Sequence, residues 1–142
     1  MARGTNKQGV SFRFDPHTVE RLRRRSHELG ASQAVLAERY IDEGMRTDEH
    51  PGIYFRDGGS GRRPAVLGTH LDVAQVIETL RQNDNSIEET ADYLDITPAQ
   101  VEAAVRYYAA YTDEVDRWSE QSRAIAERER ELWLRREQAL AR

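Results

Sequence analysis

Near the amino end, Val10, Phe12 and Phe14 alternate with Ser11 and Arg13. That is the period-2 pattern of a strand with one buried face. Two helical stripes follow. Val19, Leu22, Ser26 and Leu29 share one face of a helix from about Pro16 to Leu29, which Asp15 can cap and Gly30 can stop. Ala34, Ala37, Ile41 and Met45 repeat the pattern from about Ser32 to Arg46, with Ser32 as the cap. A lone strand followed by two helices cannot close its own sheet, so its edge needs a partner. The pattern predicts an intertwined homodimer, and a ribbon of two such strands can read the DNA major groove.

Thr47 to Gly52 reads as a polar linker ending in Pro51-Gly52. Ile53–Arg56 and Pro64–Leu67 look like two short strands joined through the glycine-rich turn Asp57–Gly61. Pro64 suits the start or edge of its strand. Three helices come next. Asp72 caps the first, which carries Val73, Val76, Ile77 and Leu80. Ser86 with Glu89 forms a capping box for the second, about Ile87 to Leu94. Thr97-Pro98 opens the third, with Val101, Ala104, Val105 and Tyr108 on one face. The second and third have helix-turn-helix proportions. From Asp113 onward there is no Gly or Pro, and Glu, Arg, Ala, Gln and Leu abound, which predicts one long helix. Tyr111, Trp118, Ile125, Leu132 and Ala139 recur every seven residues. Their companions Val115, Ser122, Glu129 and Arg136 soon turn polar, a weak seam for a self-sufficient coiled coil.

The expected fold is therefore mainly α. A dimeric strand-helix-helix unit spans 1–46 and a linker 47–52. A hairpin and helix-turn-helix domain spans 53–112, and a C-terminal helix 113–142. Charged residues make up 32% of the 142, too much for one deep core, so small units sharing cores across a dimer fit better. No cysteine is present, which suits a reducing cytoplasm and excludes disulfides and cysteine-bound metal. No signal-peptide run and no membrane-spanning stretch is evident. The net charge of -4 is unevenly spread: residues 1–46 carry +3, 47–112 carry -6 and 113–142 carry -1. The basic excess lies on the segment that looks like a DNA reader, where phosphate contacts need it.

Val10-Ser11-Phe12-Arg13-Phe14-Asp15, then Val19, Leu22, Leu29-Gly30, Ala31-Ser32 and Ile41, resemble the ribbon-helix-helix family of bacterial DNA-binding proteins. The resemblance implies two strands paired antiparallel across a dimer and inserted into the major groove. It turns Ser11 and Arg13, with Gly9, toward the bases. It also sets Ser32 and Gln33, at the start of the second helix, against a phosphate. Gly9 departs from the family pattern, which usually holds a side chain there. The chemistry is compatible: Arg13 can donate twice to a guanine edge, and Ser11 can serve several bases. A helix N-terminus favours an anion. On the arm Met1–Gln8, Lys7 and Arg3 can add phosphate contacts. The run Arg21 to Arg25 reads equally well as a phosphate stripe or a solvated face.

Residues 52–111 resemble a small uncharacterised bacterial domain family described as antitoxin-like. The motif runs from Arg63-Pro64-Ala65-Val66-Leu67-Gly68-Thr69-His70 through Tyr93-Leu94-Asp95-Ile96-Thr97 to Tyr107-Tyr108. The resemblance implies a neighbouring PIN-type ribonuclease toxin. The helix-turn-helix itself is a poor second DNA reader, because Glu88, Glu89, Asp92 and Glu102 would repel phosphates. Arg56, Arg62 and Arg63 read as a solvated hairpin tip.

The C-terminal helix offers aromatic and arginine anchors to an acidic partner surface. Trp118, Ile125, Arg128, Leu132, Trp133 and Arg136 are the expected toxin contacts, and the chain's own middle domain is the competing occupant. His17, His27, His50 and His70 lack metal-ligand spacing, and no nucleophile has an evident base. No catalytic residue, metal or cofactor is expected. Taken with these features, the two resemblances imply a type II antitoxin that neutralises a PIN-type ribonuclease and represses its own operon by binding operator DNA. The alternative is a stand-alone ribbon-helix-helix regulator.

Overall fold

The computed structural model describes residues 6–58 and 61–142. The arm residues 1–5, Arg3 among them, and the turn residues Gly59 and Ser60 lie outside the described residues. The architecture is mainly helical, with a two-stranded hairpin and six helices among the described residues. No described helix is long and apolar enough to cross a membrane. The chain divides into two compact units, one up to Gly44 and one from Met45.

Helix α1 spans Pro16–Leu29 in the first unit, and α2 spans Gln33–Glu49, of which Met45 onward belongs to the second. The Asp15 carboxylate accepts the His17 N–H at 2.8 Å, and Pro16 occupies the first turn, where a missing N–H costs nothing. Gly30 ends α1 in the left-handed conformation, at φ 63°. Ser32 Oγ accepts the Val35 N–H at 3.1 Å, as a cap should. Helix α2 continues to Glu49, past the expected end at Arg46. Thr47 to Glu49 of the expected linker are therefore helical.

The segment Gly9–Phe14 adopts no strand, contrary to the pattern's expectation. A strand exists only through hydrogen bonds to a neighbour, and this segment makes none with any other described residue. Its alternation survives as a row of exposed apolar side chains, Val10, Phe12 and Phe14.

The second unit opens with β1, Ile53–Gly58, paired antiparallel to β2, Gly61–Val66, in a register that sets Phe55 opposite Pro64. In a two-strand hairpin both strands are edges, so Pro64 is tolerated inside β2. Gly52 lies so close to α5 that a Cβ there would meet the Ala103 Cβ at 2.8 Å. Helices α3 (Val73–Gln82), α4 (Ile87–Leu94) and α5 (Pro98–Ala110) pack with α6 (Thr112–Leu140) around one core. That core is built from Ile53, Val66, Val73, Val76, Val101, Ala104 and Val115, with Tyr107 at its edge nearest α2's end. Tyr107, not Tyr108, is the fully buried ring of α5. It is admitted because its hydroxyl finds Arg46 at 2.8 Å, the partner a buried phenol requires.

Candidate functional site

The first unit leaves much of its apolar surface uncovered. Among its described residues it buries one side chain fully, Leu36, at 1% exposure. Phe12 stays 64% exposed, and Val35, Tyr40 and Ile41 on α2 are exposed too. Phe12 and Phe14 lie on one side of their segment, rings stacked at 6.0 Å with 24° between planes. Gly9, Ser11 and Arg13 are all exposed. At the start of α2, Ser32 is engaged in its cap, and Gln33 is exposed. Lys7 donates to Glu38 at 2.9 Å with both side chains largely in water, a pair weak enough to exchange for a phosphate. Within the arginine run, Arg23 pairs with Glu20 and Arg25 with Glu28, and Arg25 also reaches the Tyr40 hydroxyl at 3.4 Å. That bond from Arg25 holds the Tyr40 hydroxyl below its usual pKa.

In the second unit, the helix-turn-helix formed by α4 and α5 spends its polar residues on itself. Thr97 Oγ1 accepts the Gln100 N–H at 3.1 Å, and Gln100 Oε1 accepts the Thr97 N–H at 2.8 Å. Gln100 Nε2 then donates to the Leu67 carbonyl at 3.1 Å. The side chain best suited to reading a base edge is thus committed to the fold. Glu88, Glu89, Asp92 and Glu102 are exposed, which keeps this surface acidic.

Arg56 and Arg63 are not a solvated hairpin tip. Asp72, 5% exposed, accepts Arg56 Nε at 2.9 Å and Arg63 Nη1 at 3.2 Å. A buried carboxylate requires such partners, and β1 and β2 deliver both from neighbouring positions on the hairpin. Arg63 lies over the Trp118 ring at 5.1 Å and donates to Ser122 Oγ at 3.4 Å. The sequence alone gave no signal for this cluster beyond Asp72 as a cap.

The long helix is therefore divided in use. Up to Ser122 it serves the second unit's core, with Val115 and Ser119 buried and Trp118 under Arg63. From Arg123 onward every residue is exposed. Trp118 is separated from the rest of the expected partner-binding set. Ile125, Arg128, Leu132, Trp133 and Arg136 remain on the exposed half, with Trp133 at 55%.

Among the described residues, no group of three or more His, Asp or Glu side chains could hold a metal ion. His50 is spent on packing, edge-on to Tyr107 at 5.3 Å and to Tyr111 at 6.0 Å. No curated protein and no solved structure matches the chain. Residues 56–108, which run from the middle of β1 to near the end of α5, match the family described as Protein of unknown function (DUF433).

Proposed function

We propose that this chain is a DNA-binding antitoxin: a dimer whose first unit grips operator DNA and whose α6 neutralises a PIN-type ribonuclease in the cytoplasm. One observation carries the DNA half. Among its described residues the first unit buries Leu36 alone, while Val10, Phe12 and Phe14 stand exposed along one side of an unpaired segment. A second copy supplying the same segment completes both the sheet and the core, as small units require. Burying that side turns Ser11 and Arg13 outward together, with Gly9 leaving room at the first position. Lys7 on the arm, and Ser32 and Gln33 at the start of α2, then serve the phosphates.

Support for the toxin half is the exposed stretch of α6. Ile125, Leu132 and Trp133 offer apolar anchors there, and Arg128 and Arg136 suit a nuclease whose active site gathers carboxylates. Trp118 is left out of this set because Arg63 and β2 already occupy it. The capping commitments of Thr97 and Gln100 favour a protein-facing role for the helix-turn-helix.

Binding to the DNA upstream of its own gene, followed by fluorescence anisotropy across a salt series, tests the reading. The full chain should bind a palindromic site with a steep salt dependence, and Arg13→Ala should cost about 1–3 kcal/mol and relax specificity. Equal binding by wild type and Arg13→Ala at all salt concentrations would refute it. Co-purification with the product of an adjacent nuclease gene, lost when residues 123–142 are removed, tests the toxin half.

A further inference from the structure

We propose that the exposed half of α6 pairs antiparallel with the same half of a second copy of this chain, about a two-fold axis between Leu132 and Trp133. At about 100° per residue, Ile125, Leu132 and Ala139 form one row along the helix, and Ala126, Trp133 and Leu140 form the next. Glu129 and Arg136 fall between the two rows, at the centre of the face. All of these residues are exposed.

The polar pair weakens the face for a parallel coiled coil, which would set Glu129 against Glu129. An antiparallel two-fold reverses that. Ile125 then comes level with the second copy's Leu140, Leu132 with its Trp133 and Glu129 with its Arg136, each contact occurring twice. Such an isologous contact needs a self-complementary patch, and this sequence is one. The flanks are mixed: Arg130 approaches Glu137 on one rim, and Arg128 approaches Arg135 on the other, where water and salt screen the repulsion. Length fits as well. The second copy's Leu140 comes level with Ile125, clear of Ser122, the last residue of α6 that is even half-buried.

This pairing goes beyond the antitoxin reading and stands without it. It joins two chains at a place other than the first unit, so dimers held by their amino segments become linked into larger assemblies. A toxin using the same face would compete with it.

The test is sedimentation equilibrium of the full chain in a Phe12→Asp background, which takes association through the first unit out of the comparison. The Phe12→Asp chain should still dimerise. Adding Glu129→Arg should raise its dissociation constant at least ~10-fold, since two attractive contacts become two repulsive ones. Adding Arg136→Glu as well should restore it. The chain has no native cysteine, so an Ile125→Cys/Leu140→Cys variant should form interchain disulfides under mild oxidation. A monomeric Phe12→Asp chain would overturn the proposal, as would a dimer indifferent to Glu129→Arg or a double variant as weak as the single one.

Discussion

Arg46 Nη1 lies 2.5 Å from the Glu114 carboxylate and 2.8 Å from the Tyr107 hydroxyl. The same guanidinium stands over the Tyr111 ring at 4.1 Å. This one side chain, in the last turn of α2, ties that turn to α5 and α6 within the second unit. Burial alone would discharge it, but Glu114 and Tyr107 more than offset that and hold its pKa raised. Arg46→Ala strands a carboxylate and a buried phenol. It should cost the second unit about 2–3 kcal/mol, read as a lower midpoint in urea unfolding.

Asp72 should be more sensitive than any acid on the surface. Its carboxylate is buried, and two guanidiniums depend on it. Asp72→Asn leaves Arg56 and Arg63 facing a neutral group, at a cost of about 3 kcal/mol. Asp57→Asn, at the exposed partner of Arg62, should change stability by less than about 0.5 kcal/mol. Urea unfolding of the two variants side by side checks the contrast.

Tyr107 sets an alkaline limit. Burial pushes its hydroxyl above the ordinary value of 10.0, and the nearby Glu114 carboxylate adds to the shift. The unfolded chain releases this proton near the ordinary value while the folded chain keeps it. Stability is therefore complete below pH 10 and falls as pH rises beyond it. Tyr108, raised by burial and by its bond to Asp116, acts in the same direction. Tyr107→Phe should lower stability at neutral pH by removing the bond to Arg46, yet flatten the alkaline decline. Urea midpoints across the alkaline range measure both effects.

Much of the fold is legible because it is local. The caps at Asp15, Ser32, Ser86 and Thr97 and the stop at Gly30 are visible as residue types at fixed offsets, and each is in place, although Ser86 caps through its own side chain alone and the expected capping box with Glu89 does not form. The long helix follows from an uninterrupted run of helix formers, and it spans Thr112–Leu140. What could not be read is long-range. Arg56 and Arg63 look like surface charges until the hairpin brings them to Asp72. Trp118 and Trp133 are both tryptophans on one charged helix, yet Trp118 lies under Arg63 while Trp133 stays exposed. Tyr107 and Tyr108 are adjacent aromatics, and it is Tyr107 that is buried, with its hydroxyl bonded to Arg46, distant in sequence.

In the dimer proposed above, Val10–Phe14 becomes a strand only against a twin. Amide hydrogen exchange of that segment in the full chain, followed over protein concentration, measures this most directly. Protection of these amides should appear as chains associate and vanish in Phe12→Asp. Amides that exchange freely at every concentration, in a chain that still binds its upstream DNA, would contradict it.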